Sequence, residues 1–391
     1  MVLTLMATDI VALDKLREET KERLDSFSSR VLSDLILVGQ IPAPTGEEEE
    51  RSKFVKERFV AAGLEDIGQD GVGNVFARRP GTEGRKTVGV FAGLDTIFPS
   101  EVDHHYDVTS TRVIGPGVAH DSLAASALVS IAEFLHEWDT PIKHNILFVG
   151  LARCAEQADQ EGMRTFLTGS LDQLDAALVL QSIGLGRLSY FSFGSLKFDL
   201  MVELPQSHTP KGAIAKSSAI DVLADAVNLL LAIELPRHPN TVLNLGTIQG
   251  GESYDLWATQ AKLGAEIRCE SIEILSRVEE EVDEIASHLS SYYGCQVELR
   301  KFGRRTTAGL RFNHPVVRAF RQLMKELGIE PAPGPDSAAG SLAMAAGIPT
   351  VALGLTRGSR MGRQSYIEIE PARLGLLQVI LALHRFGDLL G

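Results

Sequence analysis

The chain has 391 residues, longer than single hydrophobic cores usually grow, so two domains are expected rather than one. With 44% hydrophobic and 23% charged residues, its composition is that of a globular protein and excludes disorder as a main theme. The 38 Lys and Arg against 51 Asp and Glu give a formal charge of -13, which repels phosphate backbones and anionic lipid and argues against nucleic-acid and membrane partners.

The first residues, Met1-Val2-Leu3-Thr4-Leu5-Met6, turn polar at once. They offer neither a basic n-region nor a long apolar h-region, and no stretch of the chain is apolar enough to span a bilayer. Residues 8 to 40 read as a helix ended by Gly39 and Pro42, with Leu13, Leu16, Leu24, Val31, Leu35 and Val38 at three- and four-residue steps. Glu47 to Ala62 is a second helix. A strand follows around Asn74 to Ala77, and Thr87 to Ala92 is a short apolar run of the kind that forms a buried strand. Ser122 to Trp138 is a strongly apolar helix, and Asn145 to Leu151 and Ala176 to Leu180 are further core strands. This alternation predicts an α/β fold, a mainly parallel sheet sandwiched by helices.

From about Ser195 the grammar changes. Leu196 to Leu204 alternates as a half-buried strand, Ser217 to Leu235 is a helix, and Thr241 to Ile248 and Lys262 to Arg268 are strands. Ile272 to Ser291 is a helix and Gln296 to Lys301 a strand. The order β-α-β-β-α-β is that of a ferredoxin-like unit. It predicts an inserted α+β domain over 194–303, between the two parts of the main domain at 1–193 and 304–391. Pro315 to Leu327, Thr350 to Leu353 and Leu374 to Phe386 then read as helix, strand and closing helix. Cys154, Cys269 and Cys295 lie far apart and form no C-x-x-C pair, so no disulfide framework is expected and a reducing cytoplasm fits.

Three stretches carry most of the functional information: Gly73-Asn74-Val75-Phe76-Ala77-Arg78 leading to Phe91-Ala92-Gly93-Leu94-Asp95-Thr96-Ile97-Phe98-Pro99; Gly115-Pro116-Gly117-Val118-Ala119-His120-Asp121-Ser122; and Gly162-Met163-Arg164. In this order, and with Gly250-Gly251 and Glu266-Ile267-Arg268 in the inserted segment, the chain resembles the co-catalytic zinc peptidases and deacylases. That family includes aminoacylase, glutamate carboxypeptidase and peptidase T. The resemblance runs over almost the whole chain and implies a zinc-exopeptidase-like fold and a two-zinc site. Such a metal pair polarises an amide carbonyl and lowers the pKa of a bridging water, while a nearby Glu shuttles the proton.

The residues that should hold the pair are replaced. The His of the family's H-x-D pattern falls at Gly93, which has no side chain, and the bridging Asp at His120. Counting back from Gly162 places the general-base Glu at Cys154 and a ligand Glu at Ala155, although a slip of one or two residues would bring in Glu156. The next Asp ligand falls at Gln181. The last His falls near Met361, and no His occurs between His314 and His384. The resemblance therefore implies no bound cofactor, and zinc only if a non-standard site forms.

Other family positions are kept or altered in kind. Asp95 aligns with the Asp that orients the first His ligand, or it simply caps backbone donors at a strand end. His208 matches the family's oxyanion-stabilising His, or is a surface-turn histidine. Arg268 matches an arginine that receives a substrate carboxylate through its fork, or it pairs with Glu266 or Glu270. A substrate-contacting Asn becomes Asp255.

The leading reading is thus a non-hydrolytic binder of a small peptide or acylated amino acid in the cleft between the two domains, with homodimerisation through the inserted domain implied by the resemblance. One alternative is a nucleophilic enzyme in which His120 deprotonates Cys154 and Asp95 orients the His. Another is a relocated single metal held by His104, His105 and His120, with Asp95.

Overall fold

Along the strand Thr87–Gly93, Val88, Val90 and Ala92 join one apolar cluster while Phe91 joins another. Side chains alternate across a strand, so two clusters mean two covered faces. In the computed structural model, which describes residues 23–138, 141–155, 159–170, 174–205, 217–336 and 338–389, this strand lies at the centre of a mixed sheet.

The chain divides into two bodies, one made of Met1–Phe191 with Gly309–Gly391 and the other of Ser192–Ala308. The first begins with α1 (23–40), α2 (Glu49–Ala61), β1 (Glu65–Gln69), β2 (Val75–Arg79), β3 (Thr87–Gly93), β4 (Asp107–Val108) and β5 (Arg112–Ile114). It continues through α3 (Leu123–Trp138), β6 (Asn145–Leu151), α4 (Glu161–Ser170), β7 (Ala176–Ile183) and β8 (Arg187–Ser192). The second body holds β9 (Gly194–Glu203), α5 (Ala219–Leu231), β10 (Thr241–Gly250), β11 (Gln260–Cys269), α6 (Ile272–Tyr293) and β12 (Gln296–Arg305). The chain returns by β13 (Ala308–Gly309), α7 (Pro315–Glu326), β14 (Ala332–Pro335), α8 (Ala339–Ala345), β15 (Thr350–Thr356), β16 (Gly358–Ser359), β17 (Tyr366–Glu368) and α9 (Ile369–Leu389).

Among the described residues the main sheet has the strand order β1-β2-β6-β3-β7-β15-β8-β13, with β14 beside β8. Its centre, β6-β3-β7-β15, is parallel. Its flanks are antiparallel at β1-β2, β2-β6 and β15-β8. One face is covered by α2, α3, α7 and α9, whose Phe59, Leu128, Phe320 and Ile380 join Val90 and Phe148. The other is covered by α4 and α8, through Met163, Phe166 and Ala343 against Phe91 and Val149. This is the α/β sandwich read from the sequence.

Helix α3 is buried on nearly every side. Contrary to the reading from sequence, one segment, Val118–Trp138, is long and apolar enough to cross a bilayer, but 83% of its apolar window lies inside the first body, so it serves as a core helix. A small separate sheet, β16-β17-β5-β4, ties the turn before α3 to the chain after β15.

The second body is a four-stranded antiparallel sheet, β10-β11-β9-β12. Its apolar face, Leu196, Phe198, Leu200 and Val202 of β9, is covered by Val222 and Leu223 of α5 and by Leu275, Val278 and Val282 of α6. Ser218 caps α5 by accepting from the Asp221 N–H, and Asp221 accepts from the Ser218 N–H in return. Such a reciprocal cap satisfies two N–H groups that no helix turn can reach. Ser271 caps α6, which ends at Gly294 in a left-handed conformation, φ 62°. The compact body is wider at both ends than the 194–303 read from the sequence.

Candidate functional site

In an open parallel sheet the ligand crevice lies outside the carboxyl ends of the strands. Here those ends deliver Gly93 from β3, Cys154 just after β6, Gln181 within β7 and Arg357 after β15. The turn before α3 adds His120 and Asp121, joined by a cis peptide bond.

A Cβ placed on Gly93 would meet Cys154 Cβ at 3.6 Å and Asp121 Oδ2 and Asp95 Oδ1 at 3.8 Å each. These are ordinary contact distances, so the surroundings leave room for a side chain that the sequence does not supply. Gly93, Cys154, Asp95 and Asp121 are thus neighbours.

Asp95 is 3% exposed, and its Oδ2 accepts from Thr45 Oγ1 (2.9 Å) and from the Ala155 N–H (2.7 Å). Glu48, also buried, accepts through Oε1 from the Gly46 N–H (2.8 Å) and the Arg153 N–H (2.9 Å). The two carboxylates therefore fasten the loop after β6 to the segment before α2. For Asp95 this is the strand-end capping role. It leaves the carboxylate committed to backbone and hydroxyl donors.

Behind them lies Arg51, 1% exposed. Its guanidinium donates to Leu94 O (2.8 Å), Ile41 O (2.6 Å) and Ser122 Oγ (3.4 Å). Burial pulls its pKa down, while Tyr106, Asp95 and Glu48 act in the opposite direction. A cation thus sits directly behind the acidic cluster, held by carbonyls rather than by a paired carboxylate. Sequence reasoning missed Glu48, Arg51, Thr45 and Asp121. The run Glu47-Glu48-Glu49-Glu50-Arg51 looks like a solvated helix start, and only the burial of two of its members marks it.

Cys154 keeps some exposure as a residue, but the environment of its sulfur is an interior one. The thiol donates to Leu151 O (3.5 Å) and Ala152 O (3.6 Å). Its pKa is pushed well above the ordinary cysteine value, first by burial and then by Asp95, Asp121 and Glu48. His120 Nδ1 is buried without a hydrogen-bond partner, and no hydrogen bond joins the imidazole to Cys154 or Asp95. The parts of a Cys-His-Asp relay are on neighbouring segments, but the hydrogen bonds that would make one are absent among the described residues.

The histidines of the relocated-metal alternative do not come together. His104 is buried with Nε2 on Pro99 O (3.2 Å), whereas His105 is exposed. Among the described residues no group of three or more His, Cys, Asp or Glu side chains is arranged to hold a metal ion. The donor set explains this. Gly93 and Ala155 offer nothing, Asp95 is already committed, the Cys154 thiol donates to two backbone carbonyls, and Met361 is an exposed thioether. The residues present do not fit a zinc pair.

Gln181 donates from Nε2 to Asp336 Oδ1 (3.1 Å). A cavity of about 430 Å³ beside Asp95 is walled by Thr45, Thr96, Ile97, Pro99, Arg153 and Glu161. In the second body Arg268 pairs with Glu266 at 3.2 Å, the plainer of its two readings. Asp255 is exposed, and the Ser253 hydroxyl bonded to its carboxylate draws its pKa below the usual range. It borders a cavity of about 810 Å³ with Trp257 and Lys262. His208 and Glu156 lie outside the described residues.

No family model matches the sequence, and no curated protein matches it. Solved structures do. A tripeptidase from Staphylococcus aureus superposes with a TM-score of 0.77 at 20% identity, over 92% of this chain and 98% of that one. A dinuclear metal-binding peptidase of the M20 family from Bacillus subtilis gives 0.67 at 16%, over 93% and 99%. Human carnosine dipeptidase 1 gives 0.68 at 12%, over 96% and 100%. Over 92–96% of its length the chain has the fold of these peptidases.

Proposed function

We propose that this chain is a divergent member of the zinc-dependent peptidase and amidohydrolase family that binds a small peptide or acylated amino acid at the strand ends without hydrolysing it. The observation that carries this reading is the Gly93 neighbourhood. The space a metal-binding side chain would occupy is open, and the groups around it are committed elsewhere: Asp95 to the Ala155 N–H and Thr45, and Cys154 to backbone carbonyls. A water needs a strong Lewis acid or base to attack an amide at neutral pH. Neither is assembled by these side chains. The peptidases with the same fold, including one that binds two metals, support the family and the ligand class.

The same resemblance makes Ser192–Ala308 the candidate homodimer surface, which sedimentation of the full chain at a mass twice that of one chain would support. The three unpaired cysteines are in keeping with a reducing compartment such as the cytoplasm. The function itself is tested with N-acetylated amino acids and dipeptides, each followed by calorimetry for binding and by amine release for cleavage. Saturable binding without amine release is expected. Turnover that survives removal of trace contaminating peptidases would overturn the proposal.

A further inference from the structure

A third cavity, of about 490 Å³, opens beside the carboxyl ends of β7 and β15, lined in part by Gln181, Ile183, Arg187, Arg357, Ser359 and Arg360. Three of its lining residues are arginines and none is acidic, in a chain of formal charge -13. That local excess of positive charge runs against the whole molecule.

The arginines are only partly engaged. Arg187 donates to Ser189 Oγ (3.1 Å) and Pro335 O (2.5 Å), both neutral. Arg360 donates to Ala119 O (3.3 Å) and stands 3.9 Å from Asp121 Oδ1, a long and half-exposed pair. Arg357 is exposed, and its side chain has no partner among the described residues.

Its backbone, by contrast, is tightly held. Gly184 and Leu185 donate to Thr356 O (2.8 and 2.9 Å), and Glu368 N donates to Arg357 O (2.9 Å). The turn Gly184–Arg187 needs left-handed glycines at Gly184 (φ 98°) and Gly186 (φ 97°). A Cβ on Gly354 would come within 2.2 Å of Gly184 C, so this close approach of turn and strand requires glycine. The result is a fixed backbone presenting a free guanidinium, which reduces the entropy lost when an anion is bound.

We propose that this cavity is an oxyanion site for a small molecule, with Arg357 and Arg360 as the contacting guanidiniums and Arg187 as supporting charge. The volume lies in the range of small-molecule sites, roughly 300–1,000 Å³. A guanidinium fork matches both carboxylate and phosphate. The inference rests on the proposed function and deepens it, because Gln181 and Arg357 belong both to this cavity and to the strand-end crevice; it names an oxyanion as the part of the ligand held here, whether the crevice cuts that ligand or only binds it.

The test is calorimetry of the full chain at low salt with two probes, inorganic phosphate and N-acetyl-L-glutamate. At least one should bind, and whichever binds more tightly identifies phosphate or carboxylate as the source of the oxyanion. Arg357→Gln and Arg360→Gln should each weaken that binding by about tenfold or more, whereas Arg357→Lys should weaken it less. Arg363→Gln, on the same loop, exposed and not lining the cavity, should bind as wild type. Wild-type affinity in Arg357→Gln and Arg360→Gln, an equal loss in Arg363→Gln, or no binding of either probe would overturn the assignment. Unfolding midpoints of the variants confirm that the fold is kept.

Discussion

Cys154 stands where a nucleophile would be useful, but Asp95, Asp121 and Glu48 all disfavour its thiolate, and burial disfavours it more. Alkylation of Cys154 should therefore show a pH midpoint above the ~8.5 of a free thiol. A midpoint at or below that value would restore the nucleophile reading. Arg51 makes a sharper demand on the same region. Arg51→Met keeps most of the side chain's length but strips Leu94 O and Ile41 O of their donors, leaving buried carbonyls unsatisfied. The expected loss is about 2–4 kcal/mol in denaturant unfolding. A loss below about 0.5 kcal/mol would show that water replaces the guanidinium and that the residue is not a keystone of the site.

At the scale of elements, α5 and α6 are joined across the second body by the Tyr293 hydroxyl, which donates to Asp225. That bond, ahead of a small burial effect, pushes the tyrosine's pKa up to about 12. The protonated form is the one favoured by folding. The stabilisation is therefore fully present below the unfolded value of about 10 and is lost as pH rises through about 12. Ultraviolet titration of tyrosinate should show one late-titrating ring that Asp225→Asn returns toward 10; an unchanged titration would refute the pairing.

Elements with a strong local pattern were legible in the sequence: the apolar runs of β3 and β6, the apolar length of α3, and the alternation in β9. Those made by distant partners were not. β5 exists because Val113 pairs with Ile367, and β8 is a short polar-rich strand lodged between β14 and β15. Helix α8, short and built from small residues, also carried little periodic signal, whereas α4 went unread although its apolar residues are helically spaced. The candidate site divides in the same way. Gly93, Cys154 and Gln181 could be placed by position along the chain. Glu48, Arg51 and the arginine cavity exist only through convergence of segments far apart in sequence.

Over the whole molecule, a fold shared with solved peptidases coexists with a strand-end region whose buried carboxylates hold backbone and whose buried cation is an arginine. Folding does not depend on a metal pair if Arg51, Asp95 and Glu48 tie these loops together, because the loop ends are then fastened by protein groups alone. Metal binding measures this most directly, since a preformed ligand set would capture zinc whether or not the protein turns over a substrate. The full chain, freed of any affinity tag, is equilibrated with excess zinc, dialysed against metal-free buffer and subjected to elemental analysis. The account predicts well under one zinc per chain; two tightly held ions per chain would contradict it.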